Sequence, residues 1–202
     1  MNTKLKNKVL NYNFEKLFNK KGYAYFTNGN YNLNIIGIRA QGNSITNIFD
    51  DILCVIFKIN GIWQRYYYSI TTDPGLYYMT KGVNKNGCAI MVPGQYRALW
   101  KLGLHKGQYE ALVQNKPVKV FRDKNKNFIY DFNPNTINEG LFGINLHRAG
   151  NESIQIDKWS AGCQVFASAA KFNEFLKFAK KQISLGMGKT FTYTLLNEED
   201  LI

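Results

Sequence analysis

The spacing of apolar and polar positions changes several times along the chain, and each change marks an element. In residues 4–20, KLKNKVLNYNFEKLFNK, the apolar positions Leu5, Val9, Leu10, Phe14, Leu17 and Phe18 recur at three- and four-residue intervals. That spacing predicts one amphipathic helix, ended by Gly22. The following stretch, YAYFTNGNYNLNIIGIRA, carries a turn signal at Asn28-Gly29 and a β-branched run through Ile35, Ile36 and Ile38, which reads as strand or extended chain. Residues 51–72 place two apolar runs about Asn60-Gly61, a pair that tolerates positive φ at both positions and so predicts a tight hairpin. TDPG at 72–75 is a turn, GCAIMVPGQYRALW at 87–100 reads as strand, Pro-Gly turn and a further segment, and 117–132 reads as a second hairpin across a polar loop. Near the C-terminus, Phe172, Phe175, Leu176, Ala179 and Ile183 share one side of a helix capped by Ser168, and KTFTYTLL at 189–196 alternates as a closing strand.

These elements predict a mostly β, α+β fold, a sandwich or barrel with a helix near each end. The expected organisation is an N-terminal helix over 1–22 and one domain over 23–202, because no repeat, low-complexity tract or Pro-rich linker divides the chain of 202 residues. An apolar fraction of 45% with 15% aromatics is enough to bury a core and excludes a disordered chain. No apolar run approaches the roughly 18 residues of a membrane span. The basic N-terminus lacks an apolar stretch followed by a small-residue cleavage site, so synthesis in the cytoplasm without an export leader is expected.

Lysine and arginine number 26 against 14 acidic residues, giving a net charge of +12. Such a surface attracts polyanions, among them nucleic acid, anionic lipid and the acidic polymers of a bacterial wall. No helix-turn-helix or other nucleic-acid motif is present, so no specific nucleic-acid partner is expected. Cys54, Cys88 and Cys163 are odd in number and widely spaced, which argues against a disulfide framework and leaves a thiol to explain.

That thiol lies in GINLHRAGNESIQIDKWSAGCQVF, where a strand is expected to end at His147 and a glycine-rich turn to deliver Cys163 into the next element. A loop between them is long enough to fold back and bring imidazole and sulfur together. A thiol reacts as its thiolate, so a neighbouring imidazole is the base it requires near neutral pH. Small residues at Ala161 and Gly162 admit a carbonyl substrate, and the N–H groups of Gly162 and Cys163 are candidates for an oxyanion hole. Ser160 is expected to orient the imidazole through its hydroxyl or its carbonyl.

At these residues the sequence resembles the L,D-transpeptidase (YkuD) catalytic domain, in which a strand ends in histidine and a Ser-x-Gly-Cys turn follows a loop. His147, Ser160, Gly162 and Cys163 match that pattern. The resemblance implies a cysteine nucleophile at Cys163, its base at His147, support from Ser160 and an amide from Gly162. It implies acyl transfer on the stem peptides of peptidoglycan, with no cofactor and no metal. SITTDPG and AIMVPGQY are similar to the segments flanking the family's substrate groove. The family's arginine two residues beyond the cysteine is Val165 here, and Arg148, Arg39 and Arg97 are the candidates to hold a substrate carboxylate in its place. Without an export leader, a lytic or virion-associated bacteriophage protein fits the resemblance better than a resident wall synthase. The alternative is a non-catalytic structural or wall-binding module on the same fold.

Other candidates read as structural. His105, in GLHKGQYEAL, is expected at a helix start on the surface. Zinc on His105, His147 and Cys163 lacks metal-ligand spacing, and Cys54 and Cys88 fall in apolar strand patterns. DKNKNFIYD has Phe128 where a calcium loop needs glycine, so it reads as a polar turn. The tyrosines at 66–68 are expected to cover a sheet face.

Overall fold

The N-terminal apolar stripe is carried by two helices, α1 (Thr3–Val9) and α2 (Phe14–Lys21), where the sequence predicts one. The break has a local cause: the Asn13 side chain accepts the Lys16 N–H at 3.0 Å, capping a new helix, and Gly22 ends it in the left-handed conformation. A computed structural model describes residues 2–82 and 85–201. Its strands are β1 (Asn34–Arg39), β2 (Asp51–Ile59), β3 (Ile62–Thr71), β4 (Cys88–Met91), β5 (Gly94–His105), β6 (Tyr109–Gln114), β7 (Val118–Asp123), β8 (Asn138–Gly140), β9 (Leu146–Arg148), β10 (Gln164–Phe166) and β11 (Thr190–Asn197). Two further helices are α3 (Leu76–Lys81) and α4 (Ala169–Ser184).

Eight strands close a barrel in the order β1-β11-β5-β6-β9-β10-β3-β2, and β4, β7 and β8 form a separate three-stranded sheet. The fold is thus mixed α+β and mostly strand. Two barrel pairs are parallel, β1 with β11 and β9 with β10. The hairpin expected about Asn60-Gly61 is present, with both turn residues at positive φ joining β2 to β3. The pleat alternates its side chains cleanly. Leu53, Val55, Phe57, Tyr68 and Ile70 face the barrel core together with Trp100, Leu146, Phe166 and Tyr193, while α4 lays Phe172, Phe175, Leu176 and Ala179 against the same core. Each buried phenylalanine contributes roughly 2–3 kcal/mol on this account.

The opposite faces of β1 and β2 carry Ile36, Ile38, Ile52, Cys54 and Ile56, and α1 and α2 cover them with Leu5, Val9, Phe14, Leu17 and Phe18. Burial on both faces is why β1 and the start of β2 read as continuous apolar runs. The tyrosine run divides accordingly: Tyr66 and Tyr68 pack on the inner core, whereas Tyr67 turns outward and donates to Leu10 O at 2.8 Å.

Two expectations fail in the middle of the chain. Residues 117–132 are not a hairpin, because β7 pairs with β4 on one side and β8 on the other. The polar stretch beyond β7 instead bonds to itself and to its flanks, with Asp131 N donating to Asp123 Oδ2 and Tyr130 N to Asn43 O. GLHKGQYEAL is not a helix start either: Lys106 and Gly107 adopt positive φ and turn β5 back into β6, with His105 opposite Tyr109.

Candidate active site

Register sets the expected histidine and cysteine on adjacent segments. In the parallel β9/β10 pair His147 is the partner of Val165, and Cys163 stands two residues before Val165. Cys163 immediately precedes β10 and so enters the sheet beside His147 of β9; Tyr109 bonds His147 Nδ1 and lies within electrostatic reach of the Cys163 thiol. The even-numbered residues of both strands, Leu146 and Phe166, point inward. Gln164 between them is fixed from inside, accepting from Tyr193 Oη at 2.6 Å and donating to Thr72 O at 3.2 Å. Beyond the pair, the 149–163 connection folds over the outer face and seals Ala149, Ile156, Val165 and Ala167 with Phe49. Cys163 packs at the edge of that cluster and is half-buried, whereas Cys54 and Cys88 are fully buried.

The turn that delivers the thiol depends on Gly162. Its φ is +127°, and a Cβ there would lie 2.3 Å from the Ala89 carbonyl oxygen of β4. Ser160 Oγ accepts the Gly162 N–H at 3.1 Å and donates to Cys163 O at 2.8 Å, so it staples the turn. Its own carbonyl accepts from Gly75 N at 2.9 Å, which ties the TDPG turn to the same loop. Cys163 Sγ donates to Gly143 O at 3.3 Å, and the backbone N–H of Asn145 faces the sulfur.

His147 Nδ1 stands 3.0 Å from Arg148 O and 3.2 Å from Tyr109 Oη. A carbonyl only accepts, so Nδ1 carries the proton and Nε2 is left as the basic nitrogen. Tyr109 donates its hydroxyl to the same carbonyl at 3.2 Å. Against the face of His147 lies His105, ring centroids 3.9 Å apart and planes 21° apart. Burial, then His105, pushes the His147 imidazole down to about 3, so the ring is neutral across the physiological range. Burial also pushes the Cys163 thiol up, opposed by the Asn145 N–H and the charge of Lys106. The resting pair is therefore neutral thiol and neutral imidazole. The expected thiolate ionised in advance by His147 is therefore not the resting state.

The remaining expectations separate on position. Ser160 does not orient the imidazole, since both its oxygens are engaged within the turn and toward Gly75; Arg148 O and Tyr109 do that work. Of the two N–H groups expected to form an oxyanion hole, that of Gly162 is taken by Ser160 Oγ, and that of Cys163 has no partner among the described residues. Arg39 is not a substrate contact: it is buried, paired with Asp73 at 2.9 Å and donating to Met91 O and Thr72 Oγ1. Arg97 lies over Phe26, eight residues up β5 from His105, on the order of 25 Å along an extended strand. Arg148 alone of the three borders the pair, its guanidinium 4.6 Å over the Tyr109 ring. His105, Tyr109 and Lys106 are site residues that the sequence reading missed; the alternation of YEALVQ after a Lys-Gly pair is the signal that marks their hairpin. Among the described residues no group of His, Cys, Asp or Glu side chains is arranged to hold a metal ion, and no helix is long and apolar enough to cross a membrane. Comparison of the chain with protein families, with curated proteins and with solved structures finds no match.

Proposed function

We propose that the protein is a cysteine acyl-transfer enzyme of L,D-transpeptidase type that cleaves stem peptides of peptidoglycan, with water as the acceptor. One observation carries the reading: the half-buried thiol of Cys163, one residue before β10, stands beside the adjacent parallel strand that holds the tautomer-fixed imidazole of His147. A core cysteine has no use for a neighbouring imidazole; Cys54 and Cys88 instead lie in apolar clusters. The Ser160-Ala161-Gly162-Cys163 turn adds the small residues a carbonyl needs to approach sulfur. The surface of net charge +12 suits an acidic wall polymer.

In this mechanism Cys163 Sγ attacks the stem-peptide carbonyl while His147 Nε2 takes the thiol proton. The Cys163 N–H stabilises the oxyanion, a contribution of about 3 kcal/mol for one such donor. The imidazolium then gives its proton to the departing amine, leaving a thioester on Cys163. Water, deprotonated by the same Nε2, attacks the thioester, and the thiol returns with its proton. An amine in place of water gives a cross-link by the same steps.

The test is incubation of wild type, Cys163→Ala and His147→Gln with purified peptidoglycan, followed by mass analysis of released muropeptides. Wild type releases fragments, Cys163→Ala releases none, and His147→Gln is slowed about 10²–10⁴-fold. Equal release by wild type and Cys163→Ala refutes the proposal.

A further inference from the structure

His105 belongs to no part of the proposed chemistry, yet it is buried, and its ring covers that of the base. We propose that His105 is a positioning residue for the acyl transfer assigned to Cys163 and His147: clamped by Asn145, its ring lies flat on the His147 imidazole and sets the plane of the general base. The inference rests on that reading of the site.

The clamp is built from one residue that also touches the nucleophile. Gln114 N donates to Asn145 Oδ1 at 2.8 Å, which fixes the amide so that Nδ2 points at His105 Nδ1, 3.1 Å away. His105 Nδ1 is therefore the acceptor and its proton sits on Nε2. Asn145 O accepts the Gln164 N–H at 2.9 Å, and Asn145 N–H faces the Cys163 sulfur. The residue that sets the position of the thiol thus also sets the ring that braces the base.

The brace answers a geometric need. The bond from His147 Nδ1 to Arg148 O anchors one point of the ring but leaves it free to tilt about that axis. A second ring at 3.9 Å, nearly parallel, removes the tilt and closes one face of the base to water. A tilt displaces Nε2 from the line of proton transfer, and a misplacement near 1 Å costs on the order of 100-fold in rate. The charged or titratable groups around the two rings are Tyr109 from β6, Lys106 from the turn, Arg148 from β9 and, by way of Tyr109, Cys163 just before β10. None is a carboxylate that would stabilise a charged ring. The stack therefore keeps His147 neutral between turnovers, and burial and Lys106 lower the basicity of His105 as well.

The experiment compares wild type, His105→Ala and His105→Phe by two readouts. The first is the ¹⁵N tautomer and pH titration of His147, which requires no substrate. Wild type holds the Nδ1–H tautomer, uncharged from pH 5 to 8. His105→Ala exposes the ring, and His147 titrates near the ordinary histidine range of about 6.5. His105→Phe, which keeps a flat ring but loses the Asn145 bond, behaves as wild type. The second readout is muropeptide release: kcat falls roughly 10- to 100-fold in His105→Ala with KM unchanged, and His105→Phe recovers most of it. An unchanged His147 titration in His105→Ala, or a loss in His105→Phe equal to that in His105→Ala, overturns the role of His105. Absence of release by wild type refutes the acyl-transfer reading alone, since the titration still decides whether His105 braces His147.

Discussion

Replacing Gly162 with alanine perturbs the site through a single methyl group, and its cost follows from two separate terms. At φ +127° a side chain occupies a backbone region that L-residues avoid, a strain of about 1–2 kcal/mol. The added Cβ also meets the Ala89 carbonyl oxygen at 2.3 Å, and that carbonyl belongs to β4, held by its pairing with β7. Overpacking against a partner that cannot yield costs about 1–3 kcal/mol more. The total, about 2–5 kcal/mol, lowers the Tm of a chain this size by about 4–20 °C, at about 2–4 °C per kcal/mol. Gly186→Ala is the control: its φ is +73° with nothing within 4 Å of the added Cβ, so strain acts alone and the fall is about 2–8 °C. Calorimetry of the two variants beside wild type reads both numbers. Iodoacetamide labelling under native conditions reads the site, because a displaced turn breaks the Ser160 staple and moves Cys163 from Gly143 O. If Gly162→Ala melts within 1 °C of wild type, or no lower than Gly186→Ala, the packing argument for this turn is wrong.

Cys163 alkylation rises with pH beyond the ordinary thiol range and shows no plateau near neutrality, because burial holds the proton on sulfur; Lys106→Gln slows it further at any fixed pH by removing a cation that favours the thiolate. For kcat/KM, the acid limb lies near pH 3, where the His147 imidazole takes a proton, so activity measured from pH 5 to 7 shows no histidine limb. Asp51 is buried beside Asp73 and Asp50, which raises its carboxyl to about 8. The unfolded chain releases that proton near the ordinary carboxylate value while the folded chain keeps it, so the Asp51 contribution to stability falls as pH rises from about 4 to about 8. Thermal melts across that range read the slope, and Asp51→Asn flattens it. Arg39→Met leaves the Asp73 carboxylate buried without its cation, which costs about 3–5 kcal/mol in chemical denaturation, with KM for peptidoglycan unchanged in the folded fraction.

What the sequence discloses is what local chemistry decides. Asn60-Gly61 dictates a turn whatever surrounds it, and the Phe172–Phe175–Leu176–Ala179 stripe behind Ser168 can bury itself only as a helix. The spacing of His147 and Cys163 is legible for the same reason, since both stand at the ends of short segments flanking one loop. What the sequence conceals is pairing between distant segments. The parallel contact of β1 with β11 joins residues more than 150 positions apart, and nothing in either strand's alternation names its partner. The environment of Arg39 hides likewise: the sequence offers it as a contact for a substrate carboxylate, and only Asp73, brought over by β3, explains its burial. His105 escapes because Lys-Gly is a weaker hairpin signal than Asn-Gly, and its stacking partner lies 42 positions on, at the far side of the three-stranded sheet's insertion.

The central claim is that Cys163 carries the acyl group between cleavage and release. Rapid-quench intact-mass spectrometry of the protein mixed with peptidoglycan stem peptides tests it directly. The account predicts a transient mass increase of one acyl fragment, mapped to Cys163 by peptide digestion and absent from Cys163→Ala. Release of stem-peptide fragments with no adduct at any time point, and at the same rate in Cys163→Ala, contradicts it.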